Sequence, residues 1–260
     1  MPLRRLIATP RVIERDSFRV ALDDGGELEI QRVRDPRARR IRLSVDERGA
    51  RLCLPLRASA ISGECFVREH LDWLRAQLDR HGGTDGHPPL RPEASTHLPL
   101  RGRELPLRWR AGRYTRLALA ADGAAIDAQW TARATPAALP RAARDFYEAQ
   151  ARADIGRWLP AYLPGLPRAP ACVRLKRMSS QWGSLSPDGA LALDLSLVLA
   201  PPPAFEYVLV HELCHLLQHN HSPAFWAEVE ARFPHWRAQR DWFHAEGRRL
   251  KARLRALVGG

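Results

Sequence analysis

The sequence predicts an α+β protein, β-rich in its N-terminal half and helical in its C-terminal half. Three observations carry that reading. Residues 28–130 hold several short runs in which apolar and polar residues alternate, divided by glycine-containing turns. From Pro140 onward the apolar residues recur at helical spacing instead, and one strictly alternating run, ALALDLSLV, lies among those helices. The chain has 260 residues and is 45% hydrophobic, enough for one sizeable core or two modest ones.

Taken in order, residues 1–27 read as an N-terminal extension and 28–130 as a β-rich subdomain. Within it, IRLSV and ARLCLPL flank the turn signal DERGA and predict a hairpin. Ser59 or Ser62 can cap a helix through ECFVREHLDWLRAQLDR, whose apolar stripe is Phe66, Leu71, Leu74 and Leu78. HGGTDGHPPLRPEAST is a loop by composition, and LPLRGRELPLRW, TRLALA and AAIDAQW follow as short strands. A second subdomain, 137–257, opens with a helix through RAARDFYEAQARADIGRWLPAYL, carrying Phe146, Ala149, Ala153 and Trp158 at helical spacing. ACVRLKRM predicts a strand. ALALDLSLV predicts another, with Leu191, Leu193, Leu195 and Leu197 on one face and Ala192, Asp194 and Ser196 on the other. Helices are expected at 204–218, 223–233 and 235–257.

Net charge is +12, which invites a nucleic-acid or nucleotide partner. Lys176 and Lys251 are the only lysines, however, so the excess is an arginine bias spread along the chain. It is densest in QRVRDPRARRIRL, where Arg40 and Arg42 alternate with Ile41 and Leu43 as on a half-exposed strand. That stretch reads either as a solvated strand face or as an anion-binding surface. The cysteines Cys53, Cys65, Cys172 and Cys214 show no CxxC spacing and no disulfide framework, which fits a reducing compartment. The N-terminus lacks the apolar segment of a signal peptide, and LALDLSLVLAPPPAF is interrupted by Asp194 and three prolines. The expectation is a soluble cytoplasmic protein with no membrane partner.

The chemistry concentrates in VLVHELCHLLQHNHSPAF. On a helix, His211 and His215 are neighbours on one face and can aim ring nitrogens at one ion. Glu212, rotated by about 100°, misses the ion but can reach a water beside it. A catalytic zinc site needs a third ligand. On an unbroken helix His221 would lie about 15 Å beyond His211. Asn220 tolerates a helix end, and Ser222-Pro223 supplies an N-cap with proline at the first position of a new helix. A break between Gln218 and Ser222 would fold His221 back toward the ion. His219, or a carboxylate at Glu228, Glu230 or Glu246, competes for the same role. Cys214 faces elsewhere and reads as a small core residue.

HELCHLLQHNHSPAFW, preceded by QWGSLS and LDLSLVLAPPPAFEYVLV, resembles the YgjP-like metallopeptidase family, whose relatives include SprT-like and Spartan-type zinc proteases. The likeness rests on Trp182-Gly183-Ser184, on Leu199-Ala200-Pro201, and on His211, Glu212, His215, Asn220, His221, Ser222, Pro223, Phe225 and Trp226. The basic hairpin and the helix with Trp73 extend it toward residue 28. Gln181 and Leu185 depart from the arginine and cysteine that usually flank the WGS motif. If that arginine binds substrate, Arg174, Lys176 or Arg177 must replace it. The resemblance implies a zincin-like core, with an active-site helix beneath a small sheet and one Zn2+ per chain. It also implies a polypeptide substrate paired with the sheet edge, at the strand 190–198 or at the WGS segment, near Trp182, Gly183, Ser184 and Arg177.

The expected activity is zinc-dependent peptide hydrolysis, with His211, His215 and His221 as ligands and Glu212 as general base. Tyr207, His235 or a basic residue near the WGS segment is the candidate oxyanion donor. The ligands must be neutral imidazoles, so activity should fall in acid. Two alternatives stay open: a metal-dependent nucleotide phosphoanhydride hydrolase, and a non-catalytic zinc module binding DNA or a protein partner. Glu212 argues against the last, because a purely structural site gains nothing from a carboxylate beside an open position.

Overall fold

The computed structural model describes residues 13–22, 27–46, 49–81, 87–178 and 181–259. The chain divides into two compact units, Met1–Gly83 and Thr84–Gly260.

The first unit is a four-stranded sheet with two helices. Strand β1 (Glu14–Ala21) runs antiparallel to β2 (Glu27–Arg34), β2 is parallel to β4 (Gly49–Leu54), and β3 (Arg42–Asp46) closes a hairpin with β4. The order is β1-β2-β4-β3. Asp46 pairs with Gly49, as the predicted hairpin requires; Glu47 and Arg48 at its tip lie outside the described residues. The expected helix is two helices, α1 (Ala60–Glu69) and α2 (Leu71–His81). Ser59 caps the first by accepting the Ser62 amide. Between them, His70 directs its ring Nδ1 at the Phe66 carbonyl, 2.8 Å away, and stacks on the Phe66 ring. Val20, Ile30, Leu52, Leu54, Val67 and Leu74 form the core. Two members of the arginine-dense run are structural: Arg32 binds Asp16 through two hydrogen bonds, 2.8 and 2.7 Å, and Arg34 donates to the Ala58 carbonyl. The segment read as an extension therefore contributes β1, while residues 1–12 and 23–26 of it lie outside the described residues.

The second unit begins with β5 (His97–Leu100), β6 (Arg103–Ala111), β7 (Arg116–Leu119) and β8 (Ile126–Trp130), ordered β5-β6-β8-β7. Helix α3 (Ala138–Tyr162) follows. Then come β9 (Cys172–Lys176), β10 (Gly183–Leu185) and β11 (Ala190–Asp194), in the order β10-β11-β9. Helices α4 (Pro202–Cys214), α5 (Pro223–Arg232) and α6 (Trp236–Val258) complete it. Strands β5–β8 share one core with α3 and α4, through residues such as Leu98, Ile126, Phe146 and Phe205. That shared core is why the unit takes in strands that the sequence reading grouped with the N-terminal half.

Two periodicities resolve differently from expectation. On α3 the buried positions are Ala143, Tyr147, Ala151 and Ile155 with their neighbours Phe146 and Asp154, whereas Ala149 and Ala153 are exposed. The alternating run ends as a strand at Asp194 and continues as a 3-10 helix, Leu195–Leu199. Asp194 caps that helix by accepting the Ser196 amide at 2.9 Å. Every residue from Leu191 to Ala200 is buried, so the alternation did not mark an inside and an outside.

This 3-10 helix feeds α4, and a distant turn holds it. Arg101 and Gly102 donate their amides to the carbonyls of Val198 and Leu199, at 2.9 and 2.8 Å. Gly102 has φ 74°, a conformation that favours glycine, and a Cβ there would lie a tight 3.1 Å from the Pro201 Cα. Arg101 is itself left-handed, φ 51°, and is held by two hydrogen bonds from its Nε to Asp154, which is 1% exposed. Helix α4 is apolar nearly all round, burying Phe205, Val208, Leu209, Val210 and Leu213, as expected of a central helix. Replacing Asp154 with alanine removes the only carboxylate bonded to Arg101 and Arg157 among the described residues. It should lower the unfolding free energy by about 2–4 kcal/mol. Urea denaturation measures this, and a loss below about 0.5 kcal/mol, the range of an ordinary surface change, would contradict it.

Candidate active site

Helix α4 ends at Cys214, and the chain tightens through i→i−3 bonds: the amides of His215, Leu216 and Leu217 donate to the carbonyls of Glu212, Leu213 and Cys214. It then breaks before Ser222, which caps α5 by accepting the Phe225 amide, with Pro223 at the first helical position. The break turns His221 back. Nε2 of His221 lies 3.0 Å from Nε2 of His211, and a ligand nitrogen from each of His211, His215 and His221 lies within 4.8 Å of the others. Two imidazole nitrogens on one tetrahedral zinc lie roughly 3.3 Å apart, so this donor set fits a single ion with little movement. His215 Nδ1 meets the Gln218 carbonyl at 3.1 Å, which assigns its Nδ1 the proton and leaves Nε2 free to bind a metal.

An aromatic collar holds the rings. Phe225, fully buried, stacks on His215 at 4.6 Å and meets His211 and His221 edge-on at 4.9 and 4.8 Å. Trp226 touches His211 and His221 and stacks on Trp236 at 4.3 Å. The same apolar wall sets the electrostatics. Burial, helped by the neighbouring His215 and His221, pushes His211 down to about 3, which keeps the ring neutral. Burial also lowers His215, raises the Cys214 thiol to about 11, and raises the Glu212 carboxyl to about 7.

His211, Glu212, His215 and His221 border a cleft of about 770 Å³. Its opposite wall is β10, where Gly183 faces Glu212. A Cβ at Gly183 would lie 2.6 Å from the Glu212 Cγ, so only glycine lets the strand come this close. Trp182, Gly183 and Ser184 all line the cleft. Trp182 is also packed from behind. Its ring lies 4.7 Å from Phe243 and under the Lys251 ammonium at 4.4 Å, and a Cβ at Gly247 would meet it at 2.7 Å.

Lys251 is a site residue that no local signal revealed. Its Nζ donates to the carbonyls of Met178 and Gln181, at 2.9 and 2.7 Å, and lies 3.7 Å from Asp194, whose other contacts include the Met178 amide. Lysine and aspartate together fasten the segment that leads into Trp182.

Other expected positions lie elsewhere. Arg177 is exposed and donates to the Gly259 carbonyl; neither it, Arg174 nor Lys176 borders the cleft. The cleft arginines are instead Arg168 and Arg240. His219 borders the cleft but lies outside the converging triad. Glu228, Glu230 and Glu246 pair with Arg232, Arg237 and Arg249. Tyr207, one turn before His211, lines the cleft, and burial raises its phenol to about 12. His235 does not border it.

The cysteines are free thiols, and no helix among the described residues is long and apolar enough to cross a membrane. Compared with known proteins, the chain matches the profile of the YgjP-like metallopeptidase domain over residues 39–246. Among solved structures, the metallopeptidase zymogen abylysin of Pyrococcus abyssi is 24% identical over 39% of this chain and 94% of its own, with a TM-score of 0.31. No curated protein matches the chain. The profile spans both the triad and the WGS segment, and the chain belongs to the YgjP-like family of metal-dependent peptidases.

Proposed function

We propose that the chain is a zinc peptidase in which His211, His215 and His221 hold the ion and Glu212 is the general base. The observation that carries this reading is the meeting of three imidazole nitrogens within 4.8 Å of one another, beside a buried carboxylate. Zinc held there supplies Lewis acidity to a peptide carbonyl and to an attacking water.

The protein residues do the rest. Strand β10 is an outer strand of its sheet and its residues line the cleft, which suits its edge to pairing with an extended peptide. Gly183 brings that edge against Glu212, so a peptide bond aligned on β10 lies within reach of the carboxylate. Glu212 takes a proton from the water and returns it to the departing amine nitrogen. Tyr207 and Arg240 are the donors bordering the cleft that suit the negative charge developing on the carbonyl oxygen.

Incubating the zinc-loaded protein with unfolded proteins and, separately, with nucleoside triphosphates tests the assignment. Peptide cleavage lost in Glu212→Gln by about 10²–10⁴-fold, with zinc retained, is expected; phosphate release without proteolysis would replace it with the nucleotide reading. His221→Ala should lose zinc in equilibrium dialysis, while Glu212→Gln keeps one ion per chain. Gly183→Ala should lower kcat by roughly tenfold or more at unchanged zinc content, because its methyl group displaces Glu212. Unchanged kcat in Gly183→Ala would show that the close approach has no bearing on the reaction.

A further inference from the structure

Glu212 is the only carboxylate bordering the cleft among the described residues, and it faces the histidine triad. The remaining charged side chains there are the two arginines, Arg168 and Arg240. Elsewhere in this unit arginines near carboxylates are paired, as Arg232 with Glu228, Arg237 with Glu230 and Arg253 with Glu104. Arg168 and Arg240 have no carboxylate partner among the described residues. Arg168 Nη2 donates to the Pro187 carbonyl at 2.9 Å, which holds it at the far end of the β10 wall, and Arg240 lies over Trp226 at 5.6 Å, nearer the triad. A guanidinium that spends one N–H group on a carbonyl acceptor keeps its remaining N–H groups for a carboxylate.

The spacing sets a position. Gly183 marks the level of Glu212, and Pro187 lies four residues on, in the turn that closes β10 onto β11 beyond Leu185. An extended peptide rising about 3.3 Å per residue covers that span, roughly 10–13 Å, in three or four residues. We propose that the cleft selects peptides with an acidic side chain three or four residues from the scissile bond. Arg168 reads that side chain, and Arg240 supplies positive potential closer to the bond. This rests on the peptidase reading and names its substrate class.

The test uses one unstructured peptide in which a single glutamate replaces glutamine at successive positions. KM and kcat are measured with the zinc-loaded protein, and Kd with the Glu212→Gln protein by fluorescence anisotropy. Glutamate at the favoured positions should tighten binding roughly fivefold, the scale of one partly exposed ion pair, and the gain should shrink as salt is raised. It should appear in KM. Arg168→Ala should erase the positional preference, and Arg240→Ala should weaken acidic peptides at every position. Equal binding of all the peptides, or a preference that survives Arg168→Ala, overturns the proposal. Position-dependent binding without any cleavage would retain the acidic-peptide site and remove the peptidase reading. Cleavage indifferent to charge would do the reverse.

Discussion

The site depends on two imidazole nitrogens, from His211 and His221, facing each other 3.0 Å apart inside an aromatic collar. Neutral rings bring lone pairs to such a meeting, and a shared cation or a single proton is what makes it favourable. Three ligand nitrogens within 4.8 Å of one another make a donor set that fits a metal ion, and membership in a metallopeptidase family gives the same direction. Three local features serve this convergence: the break after Cys214 turns His221 back, Ser222 and Pro223 restart the chain as α5, and Phe225 packs against all three rings at once.

A second constraint is the distance between the active-site helix and β10. Gly183 allows contact with Glu212, and the strand is held there by groups far apart in sequence. Lys251 and Asp194 grip the segment before Trp182, while Gly247 opens the surface of α6 to the indole. On the other side of α4, the Arg101–Asp154 pair fastens the turn against the 3-10 helix that leads into it. The helix that carries His211 and Glu212 is therefore held at its entrance by one buried ion pair and faced across the cleft by a strand held with another.

Much of this was legible in the sequence, and the reason is locality. The i, i+4 spacing of His211 and His215 and the capping signal of Ser222-Pro223 are written within a few residues, so the turn of His221 toward them could be anticipated. The hairpin of β3 and β4 followed from alternation for the same reason. What escaped was non-local or ambiguous in period. Strand β1 carries Phe18 and Val20 opposite Ile30 and Leu28 of β2, a hairpin signal across DDGG, but its exposed ends made it resemble an extension. In the leucine-rich run, Asp194 reads equally as an outward strand residue and as a 3-10 cap; complete burial of the segment decided for the cap. On α3, Ala149 and Ala153 match a helical period but lie roughly 120–160° round the helix from Tyr147 and Ile155, which are buried. The basic groups of the cleft, Arg168 and Arg240, flank the ligands from outside the motif, and nothing in their local sequence distinguishes them from the other arginines of a basic chain.

X-ray absorption at the zinc edge, on the zinc-loaded 260-residue protein, tests the central claim most directly. The account predicts three imidazole nitrogens at about 2.0–2.1 Å with one further light ligand, and loss of one imidazole in His221→Gln. A sulfur at about 2.3 Å, or a first shell unchanged by removing His221, would contradict it.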